Sequence, residues 1–294
     1  RDGATLNDFR NRAISDTFEP GATVKPLVLM TALQYGIVKP DSVLDTHPYT
    51  LDGHRIRDVG YYPELSLTGI LQKSSDTGVS RLSLAMPIQH LLDTYKSFGF
   101  GSTTGLGLTG ESSGLLPKRK FWSQLDRATF AFGYGLMATP LQLAHVYATI
   151  GGYGLERPLS ITRVDPPVVG HQVMPEEIVH EVEHMMESVA LPGGGGTKAA
   201  VRDYRVAVKT GTAKKIGDDG KYVDKYVAYT AGVAPASHPQ YALAVVINDP
   251  QNGRYYGGAV SAPVFSQIMG DVLRLENVEP DGLAPDSSHL VVMR

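Results

Sequence analysis

The sequence has no cysteine, a single tryptophan and no long hydrophobic run. The lack of cysteine excludes a disulfide framework, a thiol nucleophile and a cysteine-ligated metal. It leaves the compartment open, because a cysteine-free chain is stable in either redox climate. The longest apolar runs, such as residues 241–247, are strand-sized, against the roughly 18 residues of a membrane-crossing helix. Charge of one sign is also scarce: 27 Lys and Arg face 30 Asp and Glu, a net −3, so no basic field points to nucleic acid. No initiator Met and no signal peptide stands before Arg1-Asp2-Gly3, which predicts a fragment whose anchor or export signal lay upstream. What is present is a 294-residue chain, 42% hydrophobic and 19% charged, with no internal repeat. That composition excludes disorder and suffices for the core of one large or two small domains.

Residues 1–21 read as a polar loop ending in Glu19-Pro20-Gly21. Leu27, Met30 and Leu33 then fall near helical spacing, and Gly36 fits the stop. Pro40, Pro48, Gly53, Gly60 and Pro63 break residues 37–66 into short strands and turns. Helical segments are predicted near 67–85, 88–98 and 140–150, with a turn-rich 101–114 between them. In the second half Val179, Val182, Met186 and Val189 line one side of an amphipathic helix over 176–190, ended by Leu191-Pro192 and four glycines. Strands are predicted at 204–208, 226–233 and 241–247, the last two joined by a turn as in an antiparallel meander. Residues 262–273 make a closing helix, and the tail from Glu279 is expected to be loose. The pattern predicts an α+β fold, with helices around an antiparallel sheet.

Three short motifs carry the candidate chemistry. Ala22-Thr23-Val24-Lys25 opens the first long helix, and three residues is nearly one turn, so positions 22 and 25 share a face. A lysine partly desolvated there can act as a base, yet the position of its natural nucleophile holds an alanine. Taken alone, a solvated first-turn lysine is the plainer reading. Lys209-Thr210-Gly211-Thr212 follows the 204–208 strand. Lys beside two hydroxyls suits a carboxylate, a strand glycine marks close approach of a backbone or ligand, and an exposed edge can pair with an extended peptide. An ordinary strand end explains that motif equally well. Ser74-Ser75-Asp76, in a polar gap of a helical region, is in isolation a cap or turn. Together and in this order, the three approach the S-x-x-K, S-D-N and K-T-G set of serine β-lactamases and penicillin-binding proteins.

On these motifs, and on the stretches 18–26, 72–80, 130–136, 191–200, 209–215 and 257–265, the chain resembles the transpeptidase domain of class B penicillin-binding proteins, of the septal penicillin-binding protein 3 type of Gram-negative bacteria. The resemblance implies one domain over 1–278, an antiparallel sheet packed by helices plus a mostly helical subdomain, and a tail over 279–294. It implies a D,D-transpeptidase that cross-links peptidoglycan stem peptides ending in D-Ala-D-Ala and is acylated by β-lactam antibiotics. Position 22 would then be the acylated serine, and Lys25 would accept its proton. Ser74 would relay a proton to the leaving amine, and the residue at 76 would bind the substrate amide while contacting the lysines. Lys209 would strengthen the positive field, and Thr210 and Thr212, flanking Gly211, would hold the substrate carboxylate. Backbone N–H groups of residues 22 and 212 would form the oxyanion hole. Tyr226, Tyr255, Tyr256 and Gly257 would line the substrate groove. No metal or organic cofactor is implied. The resemblance places the domain on the periplasmic face of the bacterial inner membrane, tethered by an N-terminal anchor absent here, with division-machinery partners.

Three departures stand out. Ala22 has a methyl where the family has its nucleophile, so this chain should not form an acyl-enzyme. The intact Lys25, Ser74 and Lys209-Thr210-Gly211 favour a Ser→Ala substitution in an active enzyme over a natural pseudoenzyme. Asp76 stands where the family usually has Asn; an ionised Asp only accepts hydrogen bonds and should raise the pKa values of both lysines. Two readings follow: a site that works better in acid, or an Asp76–lysine pair that holds the site together with no pH role. Finally, only 21 residues precede Ala22, and they read as a loop rather than as the sheet strands the family has there. Either a missing segment supplies those strands or an open sheet edge remains.

Other patterns lead elsewhere. His180-Glu181-Val182-Glu183-His184 satisfies H-E-x-x-H, but its face also carries Glu177, Glu181 and Glu187, which reads as a solvated surface rather than a zinc site. Gly193–Gly196 before Thr197-Lys198 lacks the order of a phosphate loop and reads as a flexible loop. Glu111 is not followed four residues later by the Asn expected of a deacylating glutamate, which favours a transpeptidase over a β-lactamase-type hydrolase. A non-catalytic binding or scaffold domain of a cell-wall assembly stays open as the alternative.

Overall fold

Residues 25–34 form the helix that the spacing predicts, and its neighbours explain why it is apolar on every side. A computed structural model describes residues 3–283 of the chain. After a single turn, α1 (Arg12–Ser15), a 3-10 turn at Gly21–Val24 leads into the central helix α2 (Lys25–Gln34). Its Leu27, Val28, Leu29, Met30 and Ala32 are all buried. Gly36, at φ +69, ends it: its N–H donates to Leu33 O and the Ile37 N–H donates to Ala32 O, the bond pair of a Schellman stop.

Short strands follow, as predicted for 37–66. β1 (Val43–Asp45) pairs antiparallel with β4 (Glu64–Ser66), and β2 (Tyr49–Leu51) with β3 (His54–Ile56). The stretch predicted helical near 67–85 is two helices, α3 (Leu67–Lys73) and α4 (Asp76–Leu84). Ser74 breaks them by adopting the left-handed φ 54, ψ 54, and Ser75 starts α4 by accepting from the Gly78 N–H. Then come α5 (Ile88–Ser97), α6 (Gln124–Ala131) and α7 (Pro140–Gly151). Helix α6 is absent from the sequence reading, although the capping box from Ser123 to Asp126 at its start is a visible signal.

A small pair, β5 (Leu155–Glu156) with β6 (His171–Gln172), precedes α8 (Glu176–Met186), whose Val179, Val182 and Met186 are buried as predicted. The main sheet is an antiparallel meander of β7 (Ala207–Ile216), β8 (Tyr222–Ala234) and β9 (Tyr241–Asn248), in that order. The strand predicted at 204–208 instead begins at Ala207 and runs to Ile216. The preceding residues are engaged elsewhere, since the Arg205 N–H donates to Asp281 and the Tyr204 hydroxyl to Val278 O. The Lys209-Thr210-Gly211-Thr212 motif therefore lies within the strand, not after it. The same contacts correct the loose tail: Asp281 also accepts from the Ser237 N–H, and the Gly282 N–H donates to Asp203 O. Residues 284–294 lie outside the described ones.

Helices cover both faces of the sheet. A Cβ on Gly232 would meet Phe265 of α10 (Ala262–Leu275), which follows the short α9 (Gly257–Val260), while the next residue, Val233, lies against Gly151 of α7. Successive residues of a strand face opposite ways, so α10 and α7 sandwich β8. Among the described residues, those before Ala22 contribute only an isolated bridge, Phe18 to Ala138, and no strand of this sheet. Among the described residues β7 and β9 are therefore its two edges. No helix among them is long and apolar enough to cross a membrane.

Candidate active site

Three separate elements meet where α2, the α3–α4 break and β7 converge. Lys25 heads α2 with its side chain 2% exposed, and its Nζ donates to Asp76 Oδ1 at 2.7 Å, Ser74 O at 2.8 Å and Ser74 Oγ at 3.1 Å. Three acceptors thus surround the Lys25 nitrogen. From the other side Lys209 of β7, also buried, donates from Nζ to Ser74 Oγ at 3.1 Å and to Thr210 O at 3.2 Å. The Ser74 hydroxyl thus receives two lysine donors, which occupy both its lone pairs and leave its own proton free for the cleft. That geometry depends on the left-handed backbone at Ser74, an uncommon state for a residue with a Cβ and one that clusters at functional sites.

Burial decides the electrostatics. The Lys209 amine is pushed down to about 7, first because it is taken out of water, then because Lys25 is near; Asp76 opposes both. The sequence reading had Asp76 raising both lysines, and at Lys209 the net direction is the reverse. Buried beside Lys25, with which it shares the Ser74 hydroxyl, Lys209 carries its charge at a cost, which is how a lysine becomes usable in proton transfer near neutrality.

The cleft above these groups has a volume of about 490 Å³ and is lined by Ala22, Lys25, Ser74, Asp76, Thr210, Gly211 and Thr212. Tyr256 and Gly257 also line it, whereas Tyr226 and Tyr255 do not. The reason is register. Tyr226 pairs with Lys214, beyond Thr212 along β7, and Tyr255 stacks on Tyr226 at 3.9 Å, so both face a separate hollow with Asp249. The Gly257 N–H donates to Thr212 Oγ1 at 2.9 Å, which leaves the Thr212 hydroxyl proton available to a ligand. Gly211 is small for an internal reason: a Cβ there would lie 2.2 Å from the Tyr229 ring. The close approach signalled by a strand glycine is here to an aromatic ring of the neighbouring strand.

Sequence reasoning missed the cleft walls. Val59, Gly60 and Tyr62, from the loop after β3, and Phe132 and Tyr134, after α6, all line it. Asp58 anchors the first loop by accepting from the Thr77 N–H at 2.9 Å and from the Ser75 hydroxyl. The glycines read as a flexible loop form another wall, held by Lys73 Nζ donating to Gly193 O at 2.8 Å. Burial pushes the Tyr134 phenol up to about 12, with Asp76 and Glu19 adding to the effect. Elsewhere, Glu111 accepts from the Thr104 N–H at 2.7 Å, outside the cleft. His180 and His184 are exposed, the first against Tyr153 and the second bonded to Glu187, while Glu183 between them is buried. A larger hollow of about 710 Å³ lies between residues 10–19 and the sheet, lined by Arg10, Arg12 and Val246, without the three motifs.

The comparisons agree with this geometry. Residues 1–270 match the family model described as the penicillin binding protein transpeptidase domain. The chain is 65% identical over 291 residues to the peptidoglycan D,D-transpeptidase FtsI of Escherichia coli strain K12, covering 99% of this chain and 50% of that protein. It is 40% identical to a probable peptidoglycan D,D-transpeptidase, PenA, of Neisseria gonorrhoeae, covering 92% and 47%. The chain thus spans about half the length of the curated relatives it matches. The solved transpeptidase domain of Burkholderia pseudomallei penicillin-binding protein 3, in its apo form, superposes with a TM-score of 0.88 at 36% identity, covering 94% of this chain and 84% of that one. With its lysines, Ser74 and β7 motif in one cleft, the chain belongs to the family of class B penicillin-binding protein transpeptidase domains.

Proposed function

We propose that this chain is the acyl-transfer unit of a peptidoglycan D,D-transpeptidase whose donor is a stem peptide ending in D-Ala-D-Ala and whose inhibitors are β-lactams. The observation that carries the reading is the Ser74 hydroxyl accepting from Lys25 and Lys209 together beside position 22. A serine at 22 attacks the penultimate D-Ala carbonyl and its proton passes to Lys25, which takes part in this step as the neutral amine. The C–N bond then breaks, and the leaving amine takes a proton through Ser74. The amine of a second stem peptide attacks the resulting ester, forms the cross-link and releases the serine. The ester retains the energy of the cleaved peptide bond, so no nucleotide is needed. The N–H groups of residues 22 and 212 serve the developing oxyanion, where a single donor is worth roughly 2.7–4 kcal/mol. Thr210, Thr212 and the Lys209 cation serve the substrate carboxylate.

With Ala22 the chain binds such ligands without forming an ester. That methyl also favours a second reading, a binding or scaffold domain in a cell-wall assembly, if the natural gene encodes it. The relatives' names support a place in peptidoglycan synthesis. Fluorescent-penicillin labelling tests the proposal: Ala22→Ser labels covalently and holds the label, while the Ala22 chain does not. Rapid turnover of the drug by Ala22→Ser would point to a hydrolase, and absence of label to the scaffold.

A further inference from the structure

Three residues before Ala22, Glu19 buries a carboxylate, 4% exposed, for which no Lys, Arg or His lies within ion-pair distance among the described residues. An ionised carboxylate in such a place is costly unless hydrogen bonds replace its water. Those bonds come from two distant parts of the chain. Oε2 accepts from the Gly135 N–H at 2.6 Å, and Oε1 accepts from the Tyr222 hydroxyl at 2.7 Å. The carbonyl of the same residue accepts from the Tyr229 hydroxyl at 3.0 Å. Tyr222 opens β8 opposite Ile216, the end of the strand that carries Lys209 and Thr212. Gly135 follows Phe132 and Tyr134, which line the cleft. The Gly21 N–H donates to Gly133 O at 3.1 Å, and a Cβ on Gly133 would lie 2.0 Å from Gly21 O, so the two turns are in contact.

We infer that Glu19 is a positioning residue that sets the distance between the turn bearing position 22 and the β7–β8 hairpin, and so the spacing of the two backbone N–H groups that hold the oxyanion. The inference rests on the acyl-transfer reading above. A hole built from one N–H on a helix entrance and one on a strand works only if the two elements are fixed to each other. Glu19 is the side chain that ties the entrance turn at once to the hairpin and to the turn after α6. It touches no substrate, since it is buried outside the cleft lining. Misplacement by about 1 Å costs on the order of a hundredfold in rate, whereas substrate affinity depends mainly on Thr210, Thr212 and Lys209 and is largely spared.

The test compares Glu19→Ala, Glu19→Gln and Tyr222→Phe in the Ala22→Ser protein, measuring penicillin acylation as a function of drug concentration. Gln retains one carbonyl oxygen for the Gly135 N–H and an NH₂ that donates to the Tyr222 oxygen. The expected result is a tenfold or greater fall in the saturating acylation rate for Glu19→Ala, with half-saturation changed less than threefold. Glu19→Gln recovers to within threefold of the parent rate, and Tyr222→Phe, at a side chain 57% exposed, falls between them. An unchanged saturating rate in Glu19→Ala, or in Tyr222→Phe should Glu19→Ala not fold, overturns the inference. So does an equal loss in Leu273→Ala, a buried change remote from the cleft with similar loss of stability. If the parent takes no label at all, the acyl-transfer reading has failed, and amide exchange in the Ala22 chain decides the local claim. Faster exchange over residues 20–24 and 133–135 in Glu19→Ala than in Glu19→Gln supports it, and equal exchange overturns it.

Discussion

Lys209→Met, in the chain as it stands, should make the protein more stable near neutral pH. The parent buries an amine at 1% exposure, and its pKa falls from 10.5 in the unfolded chain to about 7 in the fold. Between those values the unfolded state holds a proton that the folded state has released, so parent stability rises with pH through the window. Below about 7 both states are protonated and the full burial cost is present. At about 1.4 kcal/mol per pH unit, the interval from about 7 to 10.5 is worth on the order of 5 kcal/mol. Methionine fills similar volume with no charge to bury, but it gives up the hydrogen bonds to Ser74 Oγ and Thr210 O, worth about 1.5–3 kcal/mol each for a charged donor. The net expectation is a gain of about 2 kcal/mol at most at pH 6.5 that shrinks and changes sign toward pH 10. Urea unfolding followed through the fluorescence of Trp122, the sole tryptophan, reads this directly. A variant less stable than the parent at pH 6.5, or a difference that does not vary with pH, refutes the reasoning.

Three further outcomes follow from the same structure. Gly211→Ala puts a Cβ 2.2 Å from the Tyr229 ring, and urea unfolding should show a loss of about 2–3 kcal/mol; a change under about 0.5 would contradict the packing. The Glu183 carboxyl is pushed up to about 8 by burial and then by Glu187, so the folded state holds its proton between 4.5 and about 8 while the unfolded state does not. Parent stability therefore falls as pH rises through that window, and the advantage of Glu183→Gln should grow from pH 5 to pH 8 in thermal melts; a constant difference argues otherwise. In the Ala22→Ser protein, Asp76→Asn should move the pH of fastest penicillin acylation upward, because the amide donates without needing acid, whereas an unchanged profile would leave the Asp76–Lys25 pair a purely structural role.

The chemistry-bearing residues were legible because their types are rare in such places. A lysine at a helix entrance, a Ser-Ser-Asp break and a Lys-Thr-Gly-Thr strand are local patterns, and together they carried the family resemblance. What local pattern does not carry is contact between distant segments. Nothing in the order of residues shows that Ser74 Oγ accepts from two lysines, 49 and 135 positions away, or that burial, and then the nearby Lys25, pushes Lys209 down although Asp76 raises it. The strand start at Ala207 was misplaced because Arg205 and Tyr204 read as strand residues while their groups bond to the 278–281 segment. Tyr226 and Tyr255 were assigned to the groove by the family resemblance, yet strand register carries them past it. The wall loop at 59–62 bears no catalytic side-chain type and so gave no signal, while the 193–195 glycines, within a stretch that carried the resemblance, read only as a flexible loop.

The central claim is that Lys25, Ser74 and Lys209 form an acylation centre around position 22. Its most direct measurement is release of D-alanine from a donor peptide ending in D-Ala-D-Ala, with mass mapping of the trapped ester. Ala22→Ser should release D-alanine and carry the peptide as an ester at position 22, Ala22→Ser with Lys25→Met should do neither, and the Ala22 chain should only bind. Release of D-alanine at equal rates by the Ala22 chain, or an ester at any other residue of Ala22→Ser, would contradict the account.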